Sequence, residues 1–180
     1  MHAPSKSYKN NMTFTAVFND FKQLTKVGLS LSVVFSSLAG YLLAAEKIEF
    51  STLTLLAIGG YLMVGASNAF NQIIEKDTDA LMKRTMNRPL PTGRMHVSMA
   101  MVIAVSFTVL GLAILYSINP KSALFGAISI FLYTSVYTPL KAITPLSVFV
   151  GAIPGAIPFM LGWVAATDDF SIEPGMLFLI

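Results

Sequence analysis

The sequence predicts an all-α polytopic membrane protein, and three observations carry that prediction. Hydrophobic residues make up 54% of the 180 positions and the mean hydropathy is +0.68, outside the range of soluble globular domains. Only 12% of residues are charged, and they divide the chain into charge-free stretches at 27–45, 50–74, 95–120, 122–140 and 142–167. At 19, 25, 26, 19 and 26 residues, each is long enough for a helix across a hydrocarbon core of about 30 Å. The third observation is where the basic residues fall. With the N-terminus cytoplasmic, inside segments hold ten lysines and arginines between Lys6 and Lys141, and outside segments hold only Lys47 and Lys121. That asymmetry is the positive-inside bias of a multi-pass membrane protein, and it places the acidic cluster on the cytoplasmic side.

The same placement accounts for the net charge of +3, so nucleic acid is not an expected partner. The absence of cysteine excludes disulfides and thiolate metal sites. No secretory signal is expected, because residues 1–26 are polar and amphipathic and no small-residue cleavage pattern follows.

Residues 1–12 read as a disordered tail. From 13 to 26, Phe14, Phe18, Phe21 and Leu24 recur at helical spacing between charges, which predicts an interfacial amphipathic helix closing an N-terminal segment, 1–26. The membrane domain then runs 27–180. Its first span, about 27–45, has no distinguishing feature. The second, about 52–74, carries Gly59-Gly60, Gly65-Ala66 and Ser67-Asn68, small residues that let another helix approach closely. Asn68 and Asn71 are costly in a bilayer unless partnered, so this face is expected to look into the bundle.

The third span, about 96–117, is almost wholly apolar, and His96 at its start reads as an interfacial residue. The fourth, about 122–138, ends with Tyr137 and Lys141 at i and i+4. Aromatic belts and snorkelling lysines explain such a pair. Lys141 is also the only charge between Lys121 and Asp168, and it can complete an anion site. The fifth span, about 145–166, contains the tandem Gly151-Ala152-Ile153-Pro154-Gly155-Ala156-Ile157-Pro158. Its glycines offer a flat packing face and its prolines leave carbonyls without donors. The apolar run after Glu173 is too short to span by Ile180, so a truncated chain is expected, with five complete helices and the start of a sixth.

The stretch with chemistry in it follows the second span. Asn71, Glu75 and Asp79 fall at about 0°, 40° and 80° on a helix, one stripe with about 6 Å per step. Asp77, near 240° by the same count, looks elsewhere. Two carboxylates and an amide oxygen suit a hard divalent cation. Lys83, Arg84 and Arg88 follow within nine residues of Asp79, and an Arg-x-x-x-Arg pair can take phosphate oxygens bidentately. A solvated helix flank explains isolated charges of this kind. Acids and bases together at one membrane face read as a metal-diphosphate site.

The run Asn71-x-x-x-Glu75-x-Asp77-x-Asp79, followed by Met82-Lys83-Arg84-Thr85-Met86-Asn87-Arg88-Pro89-Leu90-Pro91-Thr92-Gly93, resembles the first acidic motif of the UbiA superfamily of intramembrane prenyltransferases, most closely its heme-using branch. Tyr137-x-x-x-Lys141 is similar to a second family motif, and the resemblance extends from about residue 20 to the end. It implies a UbiA-type helical bundle around a cavity open to lipid. It further implies that Asn71, Glu75 and Asp79 hold Mg²⁺ on farnesyl diphosphate, while Arg84, Arg88, Tyr137, Lys141 and, more weakly, Lys83 contact the diphosphate. The implied acceptor is protoheme IX, whose vinyl group receives the farnesyl group to make heme O.

Gln72 and Glu75 stand where many superfamily members have Asp. The second acidic motif and the branch's histidine are absent up to Ile180, so no turnover is expected of this chain alone. Two other readings stay open: the same chemistry on an aromatic acceptor such as 4-hydroxybenzoate or a naphthoate, and an ion-coupled transporter.

Overall fold

The computed structural model describes residues 14–179, and helices account for most of them, with no strand among the described residues. The tail expected over residues 1–12 lies outside them. Helix α1 (Phe14–Thr25) precedes α2 (Val27–Ala44), α3 (Phe50–Ile74) and the short α4 (Lys76–Leu81). After a folded loop come α5 (Val97–Ile118), α6 (Pro120–Phe131), a π-helical segment (Leu132–Tyr137), the single turn α7 (Thr138–Leu140), α8 (Ser147–Thr167) and α9 (Ile172–Leu179). Among the described residues five helices are long and apolar enough to cross a membrane: α2, α3, α5, the continuous rod Pro120–Leu140, and α8. They fall on the five charge-free stretches, so the protein is a polytopic helical membrane protein.

Packing explains why the small residues sit where they do. Helix α3 lies along α5, and α2 along α8, around a core of Tyr41, Leu56, Met63, Leu115, Ile157 and Leu161. The α2–α8 crossing is the tightest. A Cβ on Gly162 would lie 1.9 Å from the Ser37 carbonyl oxygen, and one on Gly40 would lie 2.0 Å from that of Phe159. The sequence suggested Gly151 and Gly155 as the flat packing face, but the backbone contact belongs to Gly162. Gly155 faces open space, and Gly151 lies under the Tyr137 ring. Asn119 ties the α5–α6 turn to this pair: its Oδ1 accepts from the Ser122 amide at 2.7 Å and its Nδ2 donates to the Val164 carbonyl at 3.0 Å.

The fourth span is not a uniform α-helix. Pro139 has no N–H, and in an α-helix its ring would press on the carbonyl of Ser135. The backbone widens to π geometry over Leu132–Tyr137, a common way to absorb an insertion or an irregular residue. The Tyr133 carbonyl accepts both the Thr138 amide and the Thr138 hydroxyl, the latter at 2.7 Å.

The loop 82–96 is compact. Leu90 plugs a small core with Leu24, Ala69, Met95, Ala100 and Ala104, and the Met95 amide donates to Pro89 at 3.1 Å. Gly93 takes φ +71, a left-handed turn that a glycine adopts without steric cost. The loop therefore holds Arg88 and Arg94 in fixed places.

Candidate functional site

The site grows from the junction of α1 and α2. Helix α1 ends with the carbonyls of Gln23, Leu24 and Thr25 lacking intrahelical donors, and such groups need partners when buried. Helix α3 supplies them. Gln72 Nε2 donates to the Gln23 and Leu24 carbonyls at 2.9 Å each, and Asn68 Nδ2 donates to the Thr25 carbonyl at 3.3 Å. This answers the expectation that polar residues of the second span must be partnered. Between the capped end of α1 and the start of α2, Lys26 adopts the left-handed conformation (φ 47, ψ 58), uncommon for a residue with a Cβ.

Lys26 is half-buried. Its pKa is lowered from the ordinary 10.5, first by burial and then by the positive charge of Arg88, with Lys141 adding to the effect and Glu75 and Asp79 opposing it. Among the described residues its ammonium makes no hydrogen bond or ion pair, while its backbone carbonyl accepts from the Ser30 amide at 3.0 Å. A desolvated cation facing two further cations favours the arrival of an anion. The sequence reading missed this residue, and the only available signal was its place as the last charge before the first span.

Helix α3 ends at Ile74, and Glu75 (φ −88, ψ 7) separates it from α4. The stripe drawn for one continuous helix is thus broken at its middle member. Backbone bonds from Glu75 N to Asn71 O (2.9 Å) and from Asp79 N to Glu75 O (2.7 Å) bridge the break. Asn71 is buried; its Nδ2 donates to Glu75 Oε2 at 2.9 Å and its Oδ1 accepts from the Thr138 hydroxyl at 3.3 Å. The other oxygen of Glu75, Oε1, accepts from Lys141 Nζ at 3.0 Å. Asp79, with a side chain 3% exposed, pairs with Arg88 at 2.6 Å, and its backbone carbonyl accepts from Thr85.

Two ion pairs therefore stand side by side, Glu75–Lys141 and Asp79–Arg88, with Asn71 and Thr138 behind the first. Tyr137 is separate from them: its ring lies against Gly151 and tilts on Tyr133 at 5.3 Å. Lys83 and Arg84 are exposed on the loop and make no ion pair among the described residues. Below the charged groups an apolar cavity of about 190 Å³ is lined by Leu29, Val33, Val64, Asn68, Tyr133 and Pro154, among others. The Gly/Pro run of α8 thus borders a cavity at Gly151, Pro154, Gly155 and Pro158, where carbonyls freed by proline are tolerated.

Among the described residues no group of three or more His, Cys, Asp and Glu side chains is gathered. Two carboxylates and an amide oxygen, all hard oxygen donors, nonetheless fit Mg²⁺, which is commonly held by one or two carboxylates plus substrate phosphates and water.

A profile of the UbiA prenyltransferase family matches residues 33–180. Over 180 residues the chain is 68% identical to a protein named protoheme IX farnesyltransferase from Christiangramia forsetii; the match takes in all of this chain and 57% of that protein. The chain thus spans a little over half the length of this curated relative. Its fold matches a solved digeranylgeranylglyceryl phosphate synthase with TM-score 0.81 at 20% identity, over 90% of this chain and 57% of that one. It also matches a UbiA homolog from Archaeoglobus fulgidus bound to DMAPP and Mg²⁺ with TM-score 0.78 at 20% identity, over 88% of this chain and 59% of that one.

Proposed function

The chain belongs to the UbiA prenyltransferase family, and from that membership we propose that it carries the donor half of a farnesyl-transfer site that makes heme O from protoheme IX. The observation that carries the reading is the meeting of Glu75 with Lys141 and of Asp79 with Arg88 above an apolar cavity. The 68% identical relative, named for farnesyl transfer to protoheme IX, supports the choice of donor and acceptor. The orientation proposed is that of the inner membrane of a bacterium, with this cluster on the cytoplasmic side.

In this reading Glu75 and Asp79, with Asn71, hold Mg²⁺. Bound there, the ion supplies positive charge against a diphosphate leaving group. The chain's own residues do the rest. Lys141 and Arg88 turn from their carboxylates toward diphosphate oxygens, and the half-buried ammonium of Lys26 adds a third positive charge. Arg84, Lys83 and Tyr137 are the outer candidates for the same group. Neutralising the leaving group lets the allylic C–O bond break toward a delocalised carbocation. The ring of Tyr133 lines the cavity below, and aromatic faces attract cations. The apolar lining from Leu29 to Pro154 takes the isoprenoid tail and keeps water from the cation before the vinyl carbon attacks. Water then adds to the porphyrin side chain and a proton leaves, giving a hydroxyethylfarnesyl group.

The test is direct. The chain in lipid nanodiscs is expected to bind farnesyl diphosphate with Mg²⁺ and to lose that binding in EDTA. A chimera with the remaining 43% of the C. forsetii relative, the complement of the 57% matched, is expected to convert protoheme to heme O. Farnesyl diphosphate binding that ignores Mg²⁺, or a chimera active only on an aromatic acceptor, sinks the reading.

A further inference from the structure

A second, open cavity of about 580 Å³ lies between α1 and the start of α2, walled by Lys26 and Arg88 but not by Glu75. Lys22, Lys26 and Arg88 supply three cations to its lining, Asn19 and Gln23 supply amides, and no carboxylate is among its lining residues. The amide-bearing first turn of α2 borders it at Val27 and Gly28, and a Cβ on Gly28 would meet nothing within 4 Å. Lys22 sits at the rim with its ammonium over the Phe18 ring at 5.6 Å. Arg88 is engaged with Asp79 through Nη1, which leaves other guanidinium N–H donors for the groove. Leu29 is a wall of this groove and of the apolar cavity described above, so a polar, cationic chamber adjoins a greasy one.

We infer that this groove docks the carboxylate edge of the acceptor. Resting on the farnesyl-transfer reading, it assigns one of a porphyrin's propionates to Lys22 and the other to the Arg88 N–H donors that the donor site leaves over, with the apolar macrocycle directed past Leu29 toward the prenyl tail. The volume favours a macrocycle over a lone phosphate. Its position next to the donor cavity, across Leu29, favours a reactant over a structural lipid. A carboxylate takes an arginine fork and a lysine ammonium well, and the α2 N-terminus adds a favourable dipole.

The test uses the chain in phosphatidylcholine nanodiscs, titrated with iron protoporphyrin IX and with its dimethyl ester against protein-free discs. Lys22→Gln is expected to weaken binding of the diacid about two- to fivefold, the range of an exposed ion pair. Asn19→Asp, which places a carboxylate in the groove, is expected to weaken it further. The ester is expected to bind the unaltered chain more weakly and not to respond to Lys22→Gln, and farnesyl diphosphate affinity is expected to hold in Lys22→Gln. Equal binding of the diacid by the chain and Lys22→Gln overturns the groove and leaves the farnesyl-transfer reading intact. So does an equal loss in Lys121→Gln, on a different loop, because the effect is then net charge alone. A difference that appears only with anionic lipid assigns the groove to a headgroup and overturns the proposal. No porphyrin binding by the unaltered chain, with farnesyl diphosphate still bound, overturns the groove and leaves the acceptor to the chimera.

Discussion

Lys141 meets Glu75 across 66 residues of sequence, its Nζ donating to Oε1 at 3.0 Å. The contact joins the broken end of α3 to the turn after the π-helical segment, and Asn71 braces it from behind through Glu75 Oε2. A cation and a carboxylate held this way are poised for exchange, since each has the partner that a metal-diphosphate would replace.

Glu75→Gln keeps the shape of the side chain and removes its charge. Mg²⁺-dependent affinity for farnesyl diphosphate is expected to fall about tenfold or more, the scale of losing one charged oxygen contact. Lys141→Gln is expected to weaken the same binding while leaving its dependence on Mg²⁺ concentration unchanged. Titrations of the ligand at several Mg²⁺ concentrations separate the two. Indifference of both variants removes this pair from the donor site.

Asp79→Asn addresses stability. Asp79 is almost wholly buried against Arg88, and removing one partner of such a pair leaves the other desolvated, at a cost of about 3 kcal/mol. Its backbone carbonyl still accepts from Thr85, so the α4 turn is expected to persist. A clear fall in thermal midpoint is expected in detergent, larger than for Lys141→Gln, whose side chain is 45% exposed.

The helix crossing gives a contrast between two glycines seven residues apart on α8. Gly162→Ala drives a methyl group into the Ser37 carbonyl, 1.9 Å away, and backbone cannot move aside cheaply. The expected outcome is loss of the folded protein or destabilisation of several kcal/mol, as for overpacking at a rigid contact. Gly155→Ala meets nothing within 4 Å, and alanine gains about 1 kcal/mol of helix propensity. It is expected to be neutral or stabilising. Equal effects from the two substitutions contradict the α2–α8 geometry.

These contrasts mark where the sequence was legible. Five spans could be read because a charge inside a bilayer is costly, so charge-free lengths mirror the helices closely. Asn71 and Glu75 could be paired because i and i+4 neighbours touch on any helix. The break at Glu75 could not be read, since no proline or glycine marks it. Lys26 was hidden for a different reason: what points it at the site is a left-handed backbone fixed by Gln72 and Asn68, more than forty positions away. Gln72 itself looked like a departure within an acidic motif, whereas its amide caps α1. Gly162 could not be told from Gly155 without knowing which face of α8 meets α2.

Gln72→Leu tests that cap. The carbonyls of Gln23 and Leu24 lose their donor, at about 1–3 kcal/mol for the buried one, that of Leu24. The expected result is faster hydrogen exchange confined to the α1–α2 junction, together with weaker farnesyl diphosphate binding because Lys26 is no longer fixed. Weaker binding without any change in exchange at the junction argues against the coupling.

Lys26 also sets a pH dependence with a definite sign. Its pKa in the folded chain lies below 10.5, through burial and then Arg88, with Lys141 acting the same way and Glu75 and Asp79 opposing. A folded pKa below the unfolded one means the fold disfavours the proton. The stabilising contribution is therefore full above the unfolded value and is lost as pH falls through the folded value. An arriving diphosphate reverses the balance by favouring the ammonium, so binding is expected to take up protons at alkaline pH and to weaken as pH rises there. Calorimetry at pH 9 in buffers of different ionisation enthalpy reads the uptake. In Lys26→Met the uptake is expected to shrink and the alkaline loss of affinity to flatten, while binding at neutral pH falls for want of one charge. Proton uptake of the same size in Lys26→Met assigns the titration to another group and takes Lys26 out of the diphosphate site.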